Sequence, residues 1–434
     1  MLYYILRLWV SWYARYFYAK TYFTGMDKIP KDKPVILACN HPTAFTEPAY
    51  IGGSTLQARN FMLRGDMFSG GKMTAAFLKS IKCIPIYRAQ DGMANLKKNE
   101  ATLNYCYELL SKGENIFILS EGESKLEKRL RPIQKGTARL AFGAYEKYNA
   151  KDIVIVPIGI NYMDANRFRS KVYADFGPPI PISEYFEDHE KNPRRAVKLL
   201  TDRLKKELRK RVIHVANEAD DVLADKLLLI MENNQMDQPF PLISTKPSRL
   251  FDFIDLIERF NVLDSTQKET LSIKMNQYFA KLKDLGLRDI GVAQTRYYSW
   301  ATFLALTIGF IPFVIGKITN YIPTQIPKIY ADRNIKQPKF YASIQIGMGA
   351  VLYNIYFWTL LVIAATWGNI WHLLFVCTLP LFGVFSALWW EYATKWNDAR
   401  KVKNTDSQQI MELRRMRKGL QLEALKLLKK EVVV

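Results

Sequence analysis

The stretch Cys39-Asn40-His41-Pro42-Thr43-Ala44-Phe45-Thr46-Glu47-Pro48 sets a histidine just past the apolar run Val35–Cys39 and a carboxylate six positions further on. Imidazole titrates near neutral pH, so a histidine held by a carboxylate can take the proton from an alcohol. Both residues precede a proline, which favours extended backbone over helix. Positions i and i+6 lie about 120° apart around a helix of roughly 3.6 residues per turn. A folded loop is therefore the expected way to bring His41 and Glu47 together. For one such pair a satisfied structural histidine is the commoner outcome, so the rest of the chain must supply the context.

Between about residues 30 and 215, short apolar runs alternate with helical patterns. Val35–Cys39, Cys83–Ile86, Ile116–Leu119, 153–160 and Lys171–Phe176 read as strands, and 95–110 and 137–148 read as helices, which predicts an α/β domain. Open α/β sheets bind ligands at strand ends, and the chemistry-bearing residues fall there. The strand ending at Ile86 delivers Arg88 into a loop, where a guanidinium suits a phosphate through two parallel hydrogen bonds. The strand ending at Leu119 runs into Glu121, Gly122 and Ser124. Gly122 permits close backbone approach, and Glu121 is placed to hold Arg88 or substrate hydroxyls. Lys135-Gly136-Thr137 has the wrong order for a phosphate loop and reads as a helix start, with Lys135 a minor candidate for a phosphate contact. The basic helix expected over 194–216 carries one apolar stripe, Val197, Leu200, Leu204, Leu208 and Val212.

The 434 residues carry 62 Lys plus Arg against 41 acids, a formal charge of +21, which favours an anionic partner. Nucleic acid is the weaker choice, because long apolar segments place the chain at a bilayer. Residues 343–366 and 369–390 hold no Lys, Arg, Asp or Glu and are long enough to cross ~30 Å of hydrocarbon. Lysines and arginines crowd both outer flanks, so the positive-inside rule predicts a hairpin with both flanks in the cytoplasm. The shorter stretch 300–316, with Pro312, reads as a re-entrant or surface-lying segment. Cys39, Cys83, Cys106 and Cys377 show no metal spacing and no disulfide framework, as suits a reducing compartment. The expected organisation is an interfacial aromatic helix over 1–24, the α/β domain over 25–216, a helical region over 217–295, a membrane region over 296–394 and a basic cytoplasmic tail over 395–434.

With these blocks in place, the chain resembles the phospholipid/glycerol acyltransferase superfamily, whose members carry a His–carboxylate block, an Arg block, a Glu-Gly block and a late Pro-containing strand in that order. The resemblance covers roughly residues 30 to 180. Within the superfamily it looks most like the yeast-type glycerol-3-phosphate/dihydroxyacetone-phosphate acyltransferases and their bacterial relatives. Five residues separate His41 from its acid, Arg88 is followed by Asp91, and Glu-Gly-x-Ser stands at 121–124. The chain departs from the family in carrying Glu47 where Asp is usual, so the loop must retract to keep the bond to imidazole.

The resemblance implies a mixed sheet flanked by helices, followed by the helical region and the transmembrane hairpin. It implies O-acylation of glycerol 3-phosphate or 1-acylglycerol 3-phosphate in phosphatidic acid synthesis, with His41 the base and Glu47 its orienting partner. Arg88 would grip the acceptor phosphate, and Glu121, Gly122 and Ser124 would shape the acceptor side. The strand over 154–159 would line the acyl or acceptor pocket. Acyl-CoA or an acidic acyl-carrier protein would be the co-substrate, and no cofactor or metal is expected. No G-x-S-x-G elbow is present, which suits direct transfer without a covalent enzyme intermediate. Another lysophospholipid or amino-acid lipid as acceptor, and a non-catalytic membrane-anchored lipid-binding protein, stay open as alternatives. The expected location is a membrane with the catalytic domain on its cytoplasmic face, in a bacterial inner membrane by the chain's compact loops.

Overall fold

The structure, a computed structural model, describes residues 2–55, 60–87, 93–236, 238–246 and 248–428, those of 93–98 by their backbone alone. Among the described residues nine strands form one mixed sheet: β1 (Lys20–Thr24), β2 (Val35–Cys39), β3 (Asn60–Arg64), β4 (Cys83–Ile86), β5 (Ile116–Leu119), β6 (Val154–Tyr162), β7 (Lys171–Phe176), β8 (Ile180–Pro181) and β9 (Ile243–Ser244). The order is β4-β3-β5-β2-β6-β7-β1-β9, with β8 beside β6. Pairing is parallel except where β6 meets β7 and β8. The predicted α/β class holds.

Strand β2 shows why the centre reads as an unbroken apolar run. All five of its residues are buried, Val35, Leu37 and Cys39 in one core and Ile36 and Ala38 in another. A strand covered on both faces has no polar side to alternate with. On one face lie the helices Met93–Ser111, Gly136–Tyr148 and Pro193–Arg209; the last buries Leu200, Leu204 and Leu208 there. The other face is covered by the amino-terminal helix Leu2–Phe17 and by parts of two long apolar helices.

The amino-terminal segment differs from its expectation. Only Leu2–Phe17 is helical, and Lys20–Thr24 joins the sheet as β1 beside β7. Trp9, Trp12, Tyr13 and Phe17 are buried against Ala342, Ile346, Ala350 and Tyr353, so this aromatic stripe is largely a packing surface. Trp12 Nε1 donates to the Pro380 carbonyl at 2.8 Å. Arg169 caps the end of this helix, donating to the carbonyls of Arg15, Tyr16, Tyr18 and Ala19 while pairing with Glu391 at 2.8 Å.

Two helices, Pro338–Thr366 and Ile370–Asn404, are long and apolar enough to cross a membrane, and Trp300–Ile308 with Phe310–Thr319 forms a pair bent by 49°. The expected basic tail is not a separate unit. The second long helix runs on to Asn404, and the helix Ser407–Leu427 then buries Ile410, Leu413, Leu420 and Ala424 against helices of the 221–284 region. Its apolar stripe thus serves the helical core and not a lipid surface. The buried Arg417 locks it there, donating to Asp289 at 2.8 Å and to the Ile230 carbonyl at 3.0 Å.

Candidate active site

Register decides which loops meet. Cys39 of β2 pairs with Leu119 of β5, so the residues two positions past each strand, His41 and Glu121, emerge side by side. The His41 main-chain N–H donates to Glu121 Oε2 at 3.2 Å. Glu121 Oε1 accepts from the Arg131 N–H at 3.2 Å, so both carboxylate oxygens engage backbone. On the other side of β2, Asn40 continues the ladder with its amide: Nδ2 donates to the Ile160 carbonyl at 3.0 Å, and Oδ1 accepts from the Ile160 N–H at 2.8 Å. His41 is thereby fixed from both neighbouring strands.

Glu47 lies in the first turn of the helix Thr46–Ser54, and not in an extended loop as its place before Pro48 suggested. A proline in a first turn removes an N–H that would have no intrahelical partner, so the helix tolerates it. The His41 Nδ1 to Glu47 Oε2 distance is 3.3 Å, with the carboxyl fully buried and the imidazole nearly so. Glu47 Oε1 accepts from the Thr43 N–H at 3.0 Å, the Thr43 hydroxyl at 2.7 Å and the Tyr162 hydroxyl at 3.4 Å. The first turn of a helix also favours a negative charge. Thr43 and Tyr162 carry no local sequence signal for this role beyond their hydroxyls.

Burial pushes the Glu121 carboxyl up to about 7 from an ordinary 4.5, against the pull of the Arg131 and His41 N–H groups. Burial likewise drives the Cys39 thiol well above its usual value, with Glu47 and Glu121 adding to the effect, so this neighbour is not a thiolate. Tyr162 is raised too, by burial first and Glu47 second, and stays a hydrogen-bond donor.

The structure thus brings His41, Glu47 and Glu121 together. Gly122 follows with a left-handed φ of 76°, which turns the chain away from β5. Ser124 is half-buried, and its carbonyl accepts from Lys339 Nζ at 3.3 Å. Lys135 is exposed at the start of the helix Gly136–Tyr148, one residue after Gln134, whose N–H bonds the Ser120 carbonyl at 2.8 Å. Arg88, with Asp91, lies outside the described residues. A cavity of about 420 Å³ opens beside Asn40 and Pro42, walled by Ile160, Tyr162, Lys128 and Arg167 among others.

Residues 20–161 match the family model described as Acyltransferase. With the motif order and the His41–Glu47 pairing, this match supports the likeness of the region to the glycerolipid acyltransferase superfamily. Glycerol-3-phosphate O-acyltransferase 2 of Saccharomyces cerevisiae is 26% identical over 231 residues, 51% of this chain and 30% of the relative. Glycerol-3-phosphate O-acyltransferase 1 of the same yeast is 33% identical over 141 residues, 32% of this chain and 19% of the relative. The chain therefore spans less than a third of the length of these curated relatives. The crystal structure of the 1-acyl-sn-glycerophosphate acyltransferase from Thermotoga maritima aligns with a TM-score of 0.34 and 15% identity, covering 47% of this chain and 79% of that one.

Proposed function

We propose that the chain is a membrane-bound O-acyltransferase. It would move a fatty acyl group from acyl-CoA or acyl-carrier protein to a hydroxyl of glycerol 3-phosphate or 1-acylglycerol 3-phosphate, yielding phosphatidic acid or its precursor. The observation that carries this reading is the His41–Glu47 pair, held at 3.3 Å beyond the end of β2. With Nδ1 occupied by Glu47, Nε2 is the free basic nitrogen. It removes the acceptor hydroxyl proton as the oxygen attacks the thioester carbonyl. The tetrahedral intermediate then expels the thiolate, which recovers that proton from the imidazolium. Glu47 orients the ring and offsets the positive charge that develops on it.

On this reading Arg88 meets the acceptor phosphate, Lys135 is a secondary phosphate contact, and Glu121, Gly122 and Ser124 shape the acceptor side. The likeness to two yeast glycerol-3-phosphate O-acyltransferases supports glycerol 3-phosphate as acceptor. The net charge of +21 suits either acidic acyl carrier and an anionic membrane surface. The basic flanks of the two long apolar helices favour a cytoplasmic catalytic domain. The test is acyl transfer by the purified protein beside His41→Ala, with labelled glycerol 3-phosphate and lysophosphatidate offered against acyl-CoA and acyl-carrier protein. A phosphorylated lipid product from the wild type alone supports the reading and names its acceptor. No product from any pair, or equal product from the variant, refutes it.

A further inference from the structure

The helix Pro338–Thr366 reads from composition as an anchor, yet its first turns touch the site. The Ala44 N–H donates to the Lys339 carbonyl at 3.0 Å, and the Phe45 N–H donates to Ser343 Oγ at 3.1 Å. The hydroxyls of Thr46 and Ser343 lie 2.8 Å apart, with Ser343 only 1% exposed. One turn further along the same helix face, a Cβ on Gly347 would come within 3.2 Å of the Phe45 ring. Ala44, Phe45 and Thr46 all lie in the segment that joins His41 to Glu47. Phe45 is the residue that precedes the helix carrying Glu47, and it offers no side-chain oxygen to cap that helix. Ser343, 298 positions away in the chain, holds its N–H instead. Lys339 Nζ reaches in the other direction, to the Ser124 carbonyl at 3.3 Å. The helix is itself pinned by Asn166 in the β6–β7 connection, which donates to the Pro338 carbonyl at 3.0 Å and accepts from the Ala342 N–H at 3.3 Å.

We propose that the first membrane-spanning helix is a structural part of the active site. Its Ser343–Gly347 face seats Phe45 and so sets the His41–Glu47 geometry, and Lys339 ties that segment to the 121–124 loop. Ser343, Gly347 and Lys339 are positioning residues, since they act through His41 and Glu47. The consequence for the reaction rests on the acyltransferase reading above; the seating itself does not. A carboxylate already at 3.3 Å from Nδ1 has little slack, because a slightly longer separation breaks the bond that orients the base. The catalytic rate should therefore depend on contacts with the membrane helix, and not only on the enzyme's presence at the bilayer.

The experiment uses the full chain in lipid nanodiscs, comparing wild type, Ser343→Ala, Ser343→Thr, Gly347→Ala and His41→Ala. One arm measures kcat and KM for the acceptor, and a second measures amide hydrogen exchange over residues 43–47. Ser343→Ala should lower kcat about tenfold, short of the roughly hundredfold that a full 1 Å misplacement costs, with KM unchanged. Ser343→Thr, which keeps the hydroxyl, should recover most of that loss. Gly347→Ala should lower kcat through Phe45, and exchange over 43–47 should quicken in Ser343→Ala. Wild-type kcat in both Ser343→Ala and Gly347→Ala overturns the proposal, whether or not the loop exchanges faster. If the wild type transfers nothing, or His41→Ala transfers equally, the acyltransferase reading fails instead. The exchange arm then decides the seating alone: unchanged protection in Ser343→Ala overturns it, and quickened exchange supports it.

Discussion

Replacing Glu47 by glutamine keeps the volume of a fully buried side chain while removing its ability to accept at both ends. The orientation of the new amide is fixed by Thr43, whose main-chain N–H, 3.0 Å from Oε1, can only donate. The amide oxygen must therefore face Thr43, which turns the NH2 group towards His41 Nδ1, 3.3 Å from the other oxygen. An NH2 there makes Nδ1 the acceptor and leaves the proton on Nε2, the nitrogen that has to receive one from the acceptor alcohol. The wrong tautomer in a His–carboxylate pair costs roughly 10⁴ in kcat where it has been measured in a serine protease. Here the bond is longer, so a loss of about 10³ is expected, or about 4 kcal/mol at 1.36 kcal/mol per tenfold. The assay is kcat at saturating acyl donor and acceptor, read beside a thermal melt that should stay close to wild type. Glu47→Asp gives the companion value. One methylene fewer, about 1.5 Å, draws the carboxylate from either His41 or Thr43, and a loss of roughly tenfold to hundredfold is expected. A folded Glu47→Gln protein with kcat within tenfold of wild type would refute the role of Glu47 in orienting the base.

Three further perturbations test the surrounding structure. Between pH 4.5 and about 7 the folded Glu121 keeps its proton while an unfolded chain has lost it, so stability falls as pH rises through that window. The shift corresponds to about 3 kcal/mol, and Glu121→Gln should flatten the melting temperature against pH there; identical slopes in the two proteins count against it. Arg417→Ala leaves the buried Asp289 without its cation, which should cost about 3–5 kcal/mol and free the Ser407–Leu427 helix to proteolysis. Gly349→Ala would set a Cβ 2.0 Å from a ring carbon of the buried Tyr13. It should lower stability by about 1–3 kcal/mol, read as a reduced melting temperature in detergent.

Much of the sheet was legible because its central strands are buried on both faces. Val35–Cys39, Ile116–Leu119 and Lys171–Phe176 are found with the bounds that their apolar or alternating runs suggested, as is Cys83–Ile86, a partly buried strand at the end of the sheet. The four strands not anticipated are of another kind. Strand β1, Lys-Thr-Tyr-Phe-Thr, follows directly on an aromatic helix and shares its composition, so the boundary has no local mark. Asn60–Arg64 holds only three apolar residues between polar ends, and β8 and β9 have two residues each. The carboxy-terminal helix exposes a related limit. A basic amphipathic pattern fixes that one face will be buried but is silent on what covers it, lipid or protein. Here Leu413 and Leu420 are buried in the helical core and the arginine among them pairs with Asp289.

The site divides along the same line. His41, Glu47 and Glu121 could be picked out because each stands within two residues of a strand end or shares a ten-residue motif with one. Their mutual placement then follows from a single fact of register, the pairing of Cys39 with Leu119. Asn40 and Thr43 sit inside that motif, but their functions as a ladder extension and a carboxylate clamp depend on atoms of β6 and on the turn into the Thr46 helix. Ser343 and Lys339 were beyond local reading altogether. A serine near the start of an apolar helix is ordinary, and its composition argues only that the helix can cross a bilayer. What gives Ser343 a partner is that the helix packs on the same sheet face as the amino-terminal helix, which brings its first turns against Phe45 and Thr46. A helix long and apolar enough to cross a membrane that also holds the His–Glu segment cannot shift at one end without moving the other. On the proposed reading, this apolar helix is coupled to the chemistry by the packing that buries Trp9, Tyr13 and Tyr353, and not by proximity to a bilayer alone.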